Sequence, residues 1–147
     1  MPKEEINEKT AERLLLAARE ARKNSYSPYS LYPVGAAVLA ESGKVYAGCN
    51  MENVSYPASL CAERNAIGSA VAAGERKFLA IAVIGSHDSY TMPCGVCRQV
   101  IAEFKIPLII AGRSEKDYRT FTLEGILPYA FEEDSLLSLI HISEPTR

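Results

Sequence analysis

The chain has 147 residues, of which 48% are apolar and 23% charged, and its formal net charge is −2. That length and balance suit one globular domain with an ordinary core. They exclude a polybasic nucleic-acid binder, because no basic block is present to attract a phosphate backbone. They also exclude a helical membrane span, because apolar runs such as Leu79–Ile84 and Ile106–Ala111 are far too short for a bilayer.

In chain order, residues 4 to about 24 are expected to form a helix, since Ile6, Leu14, Leu15, Ala18 and Ala21 recur near helical spacing with charges between them. The Ser, Tyr and Pro residues from Asn24 to Ser30 are turn chemistry and end it. Val34–Ala40 reads as a strand, Glu41–Lys44 as a tight turn and Val45–Met51 as a returning strand, which makes a hairpin. Glu52–Leu60 is irregular, with Pro57 as a breaker. A second helix runs from Cys61 to Ala73 and closes at Gly74. The apolar run Leu79–Gly85 is a buried strand, Ser86–Met92 a loop, and Pro93 opens a third helix over Cys94–Phe104. Pro107–Gly112 is another buried strand, Tyr118–Leu123 a weaker one, and Glu124–Leu127 a helical turn.

The order α-β-β-α-β-α-β-β implies an α/β fold, a single-domain three-layer α-β-α sandwich with a mixed central sheet. Residues 1–136 are assigned to that domain, and residues 137–147 form a tail without structural signals, expected to be disordered or non-native. Met1–Glu5 is charged and shows no secretory signal, so a cytoplasmic location is expected, where thiols stay reduced. Four cysteines in such a compartment point to metal binding or catalysis before disulfides.

Two cysteine clusters dominate the chemistry. The first is Cys61-Ala62-Glu63-Arg64, and the second runs from Pro93 through Cys94 and Cys97 to Gln99. Thiolates are soft ligands for Zn²⁺, and a CxxC pair lets two sulfurs approach one ion. Three protein ligands leave one tetrahedral position open, which marks a catalytic rather than a structural zinc. Glu63 sits two residues after Cys61, beside that open position, where a proton carrier is needed. Both clusters fall at expected helix N-termini, where unpaired N–H groups and the helix dipole lower a thiol's pKa. Three thiolates on Zn²⁺ carry an excess negative charge that would weaken the acidity of bound water. Arg64 and Arg98 are placed to offset it by donating to sulfur, Arg64 the better because one helical turn folds it back onto the site.

Other readings compete. A lone CxxC also serves as a redox pair, but that use requires neither Cys61 nor Glu63. A structural zinc needs a fourth ligand, for which Cys49, His87 and His141 are available. Cys49 in a strand reads better as a buried free cysteine. His87 in a polar loop reads as a solvated histidine, and His141 lies in the tail. Taken singly, Asn50 and Glu52 would be strand-end polar residues, Tyr32 and Phe131 core aromatics, and Glu63 a solvated helix residue. Only their arrangement around three cysteines distinguishes them.

CAE followed by PCxxC resembles the zinc signature of cytidine deaminases. Val34–Ala37, Gly48–Asn53, Cys61–Arg64, Pro93–Val100 and Leu127–Phe131 look like that family in the same order, covering roughly residues 10–132. Cysteine rather than histidine in the first ligand position is similar to the free-nucleoside branch. One motif set in a short chain resembles the homotetrameric type. The resemblance implies that Cys61, Cys94 and Cys97 hold one Zn²⁺ per chain and that Glu63 shuttles protons. It implies that Asn50 and Glu52 bind the ribose 3′-hydroxyl and that the backbone at Ala62 holds the pyrimidine O2. Tyr32 stands where the family has a phenylalanine against the pyrimidine, which adds a hydroxyl needing a partner. Phe131 matches a phenylalanine that reaches a neighbouring subunit's site.

The activity so implied is hydrolytic deamination of cytidine and deoxycytidine in pyrimidine salvage, on a free nucleoside and away from nucleic acid and membrane. The alternative enzyme deaminates another aminopyrimidine nucleoside such as blasticidin S, against which the Asn50–Glu52 pair argues. A polynucleotide editor would need the basic patches that are lacking here. A non-catalytic zinc-binding interaction module would close its metal with a fourth ligand.

Overall fold

The computed structural model describes residues 7–86, 88–134 and 136. Helix α1 spans Glu8–Arg22, and its N-cap Asn7 accepts a hydrogen bond from the backbone N–H of Thr10 at 3.1 Å. Strands β1 (Val34–Ala40) and β2 (Val45–Cys49) form the expected hairpin, and a single 3-10 turn, Tyr56–Ala58, interrupts the irregular stretch after it. Helix α2 (Ala62–Ala72), strand β3 (Phe78–Gly85), helix α3 (Gly95–Glu103), strands β4 (Leu108–Gly112) and β5 (Tyr118–Thr122) and the short helix α4 (Leu123–Ile126) complete the chain.

The strands make one sheet in the order β2-β1-β3-β4-β5. All pairs are antiparallel except β3–β4, which is parallel because α3 carries the chain back to the starting edge. The mixed sheet and three layers are those expected. Leu14, Leu15 and Ala18 of α1 pack with Ala37, Leu39, Ala82, Ile84 and Ile110 on one face. Ala62, Ala66, Ile67 and Ala70 of α2 and Ile101 of α3 pack with Ala36, Val38, Ile81 and Ile109 on the other. β3 is buried along its whole length, as a central strand covered on both faces must be.

Close approach of helix to sheet depends on missing side chains. A Cβ on Gly48 of β2 would lie 2.6 Å from the Ala66 nitrogen of α2. One on Gly35 of β1 would lie 1.8 Å from the Ala18 carbonyl oxygen of α1. Glycine is therefore needed at both positions for the layers to meet.

Three local readings change, and others lie on residues that are not described. Helix α1 is described from Glu8, and Ile6 lies outside the described residues. Pro93 does not open α3; Cys94 is the N-cap, and its sulfur accepts from the Cys97 N–H, so the proline stands one residue earlier, fully buried. Cys49 is half-buried rather than buried. His87, His141 and the 137–147 tail fall outside the described residues.

Candidate active site

Helices α2 and α3 point their N-termini at one place on the sheet. Cys61 is the N-cap of α2 and Cys94 the N-cap of α3, while Cys97 sits in the first turn of α3, fully buried. Their three Sγ atoms lie within 4.8 Å of one another, and Cys61 Sγ is 3.7 Å from Cys94 Sγ. A disulfide requires about 2.05 Å, so the sulfurs are not bonded. A tetrahedral ion with Zn–S bonds of about 2.3 Å sets sulfurs about 3.8 Å apart, which this spacing matches. Among the described residues, Cys49 does not join the cluster.

The charges around the trio fit a cation. The hydrogen bond from the Cys97 thiol, reinforced by Arg64 and Cys94, pulls the Cys61 thiol down to about 5. The Cys97 thiol is pushed up by holding that shared proton for Cys61, and by burial. Three crowded thiols cannot all ionise against one another, so a bound divalent ion is the charge that would release the remaining protons. Arg64 folds back one turn of α2 and donates to Cys61 Sγ from Nη2 at 3.4 Å. Its Nε is buried and has no hydrogen-bond partner among the described residues. Arg98 plays no such part: it donates to the carbonyls of Pro93 and Ile126, both at 2.8 Å. It ties down the start of α3 instead of the sulfurs.

Among the described residues Glu63 is the buried charged side chain, 4% exposed, on the first turn of α2. Burial pushes its carboxyl up to about 7. A carboxyl poised there can both take and give a proton near neutral pH. It lines a cavity of about 310 Å³ together with Cys61, Cys94, Ala62, Tyr32 and Asn50. The Tyr32 hydroxyl finds Thr91 Oγ1 at 3.2 Å. Gly85 leaves room for that pair, since a Cβ there would fall 2.5 Å from the Tyr32 hydroxyl.

Not all of the expected residues converge. The side chain of Asn50 accepts from the Val34 N–H and donates to the Tyr32 carbonyl, both at 2.9 Å, which fixes the cavity wall. Glu52 faces a separate cavity, also about 310 Å³, lined by Tyr29, Ser30, Tyr56 and Ser59. Its carboxylate accepts from the N–H groups of Tyr29 and Ser30, each at 3.0 Å, and from the Ser30 hydroxyl. Phe131 is 59% exposed and lines a different cavity, with Ala102 and Lys105, from the one that holds the sulfurs. Conversely, Tyr90, Thr91 and Met92 line the site cavity, although the sequence marks them only as loop. Their place directly before PCxxC was the available signal.

The model of the cytidine and deoxycytidylate deaminase zinc-binding region matches residues 8–113. A cytidine deaminase of Sporosarcina psychrophila is 44% identical over 128 residues, covering 85% of this chain and 93% of the relative. One from Halalkalibacterium halodurans is 39% identical over 84% of this chain and 95% of the relative. Among solved structures, cytidine deaminase from Burkholderia pseudomallei superposes with a TM-score of 0.76 at 45% identity, covering 81% of this chain and 97% of that one.

Proposed function

Because this chain belongs to the cytidine and deoxycytidylate deaminase family, we propose that it hydrolyses the 4-amino group of cytidine and deoxycytidine to give uridine or deoxyuridine and ammonia. The observation that carries this reading is a trio of sulfurs spaced for one ion beside a buried carboxyl, all on one nucleoside-sized cavity. Cys61, Cys94 and Cys97 would hold Zn²⁺, one ion per chain. When bound, the ion supplies Lewis acidity and lowers the pKa of a water molecule, typically to about 7.

Glu63 does the proton work. It takes one proton from the water and delivers it to N3 of the ring, which makes C4 electrophilic. The water oxygen bonds to C4. Glu63 then passes the second proton to the exocyclic amine, the C4–N4 bond breaks, and ammonia departs. Of the water's two hydrogens, one stays on N3 of the uridine and the other leaves with ammonia. One carboxyl acts as base and then acid, as its place near neutrality allows. Arg64 draws negative charge from Cys61 by its hydrogen bond to sulfur. Tyr32 flanks the pyrimidine, and the backbone at Ala62, in the first turn of α2, receives its O2.

Asn50 and Glu52 are assigned to the ribose 3′-hydroxyl, Asn50 from the cavity wall and Glu52 through the segment it holds at Tyr29 and Ser30. Phe131, exposed on its own chain, is assigned to a neighbouring subunit's site in a homotetramer. The deaminase domain is taken as residues 1–136, acting in the cytoplasm in pyrimidine salvage. No helix among the described residues is long and apolar enough to cross a membrane. Blasticidin S is the less favoured substrate, since the curated relatives at 39–44% identity carry the name cytidine deaminase.

The test is the ultraviolet absorbance of cytidine, followed with and without a zinc chelator, alongside metal content per chain and turnover on blasticidin S. Ammonia release that needs about one zinc per chain supports the reading. Turnover unaffected by zinc removal, or a metal closed by a fourth side chain, would end it.

A further inference from the structure

We propose that Tyr90 is a substrate-binding wall of the nucleoside cavity, held there by Asp117, Arg113 and Arg119 as positioning residues. The proposal rests on the deaminase reading of the same cavity. Tyr90 lines that cavity with Cys61, Glu63 and Cys94. It belongs to the segment joining β3 to α3, and among the described residues 88–92 make no backbone–backbone hydrogen bond outside the regular elements. Side chains hold this lip instead. The Tyr90 hydroxyl donates to Asp117 Oδ1 at 2.6 Å. Asp117 Oδ2 in turn meets Arg113 Nε at 3.2 Å, and Asp88 of the lip meets the same Nε at 3.2 Å. The guanidinium of Arg119 lies 4.4 Å from the centre of the Tyr90 ring, and that of Arg113 5.6 Å. Thr91, the next residue, ties the lip to Tyr32 across the cavity.

Strand β5 and the turn before it thus clamp one wall of a site whose chemistry sits on α2 and α3. The start of α3 is anchored separately, by Arg98 on the Pro93 carbonyl. Releasing Tyr90 therefore frees the lip without moving Glu63 or the sulfurs. A freed lip must be ordered again by each substrate, which weakens binding and leaves the chemical step alone.

The experiment measures kcat and KM for cytidine with zinc-loaded wild type, Tyr90→Phe, Tyr90→Ala, Asp117→Ala and the Tyr90→Phe/Asp117→Ala double variant, with zinc content and Tm of each. Tyr90→Phe should raise KM about tenfold, the scale of a lost charge-assisted hydrogen bond, with kcat within about twofold. Tyr90→Ala should raise KM further. The double variant should be no worse than Asp117→Ala alone, since both changes break the same bond. A KM within about twofold of wild type in both Tyr90 variants overturns the proposal. So does a loss of kcat that tracks a fall in Tm, the mark of a merely structural role. A wild type that fails to turn over cytidine would sink the deaminase reading itself, whereas turnover with an unmoved KM sinks only the assignment to Tyr90.

Discussion

Replacing Gly48 by alanine tests whether the sheet places helix α2. Gly48 sits in β2, against the first turns of α2, the helix that carries Cys61 at its cap and Glu63 in its first turn. A Cβ there would meet the Ala66 nitrogen at 2.6 Å and the Asn65 carbonyl carbon and Cβ at 2.9 Å. Two of those three atoms are backbone, so no side chain can rotate out of the way. To reach an ordinary contact of about 3.4 Å, α2 must retreat by roughly 0.8 Å. Overpacking of this kind costs about 1–3 kcal/mol of stability. The larger effect falls on the site, because Cys61 and Glu63 move with α2 while Cys94 and Cys97 stay with α3. A misplacement near 1 Å costs on the order of a hundredfold in rate. Gly48→Ala should therefore fold, with a Tm lowered by several degrees, yet lose about two decades in kcat/KM on cytidine and bind zinc more weakly. The assay is steady-state kinetics with zinc titration and a thermal melt. A folded variant with wild-type kcat/KM and zinc affinity would refute the claim that β2 sets the position of α2.

Glu63→Gln should keep the fold and the metal and lose at least about a hundredfold in kcat, measured by cytidine absorbance with zinc content per chain. Arg64→Ala removes the donor to Cys61 Sγ, so activity should appear at higher pH; an unchanged pH–rate profile counts against that role. Cys97→Ala should abolish stoichiometric zinc binding, read by metal analysis, and in the wild type chelation followed by added zinc should remove and then restore turnover. In the metal-free chain, burial raises the Glu63 carboxyl from 4.5 to about 7. The folded state holds that proton more tightly, so this group's stabilisation is complete below pH 4.5 and is lost as pH rises through about 7. Urea midpoints of the metal-free wild type should fall across that window relative to Glu63→Gln; parallel curves would contradict it. Ile101→Ala empties a fully buried position beneath α3 and should cost about 2–5 kcal/mol in the same urea assay.

Much of this protein is legible residue by residue because the signals are local. The strands β1 and β3 announce themselves as short apolar runs, and α1 as a period of Leu14, Leu15 and Ala18 between charges. The three cysteines and Glu63 fall at helix N-termini as their spacing implies, because a helix N-terminus needs only a few neighbouring residues to define it, and CxxC spacing lies within one turn. The same local logic erred where a neighbour in sequence is not a neighbour in space. Arg98 adjoins Cys97 in the chain, yet it reaches the carbonyls of Pro93 and Ile126. Asn50 and Glu52 stand two residues apart, but they face separate cavities, because alternate residues of an extended segment are not held on one face once it leaves the sheet.

Residue types and short spacings singled out three thiols, one carboxylate and the helices that bear them. Only the tertiary structure decided that Cys61 and Cys94, 33 positions apart, lie 3.7 Å from each other. Only it decided that Tyr90 is clamped from β5 and its preceding turn. The first follows from β2, β3 and β4 all running the same way, β2 and β3 through their antiparallel pairing with β1, so that the chain leaves the same end of the sheet to enter α2 and α3. Such long-range register is a property of how buried faces pack against one another, and no short stretch of the chain contains it.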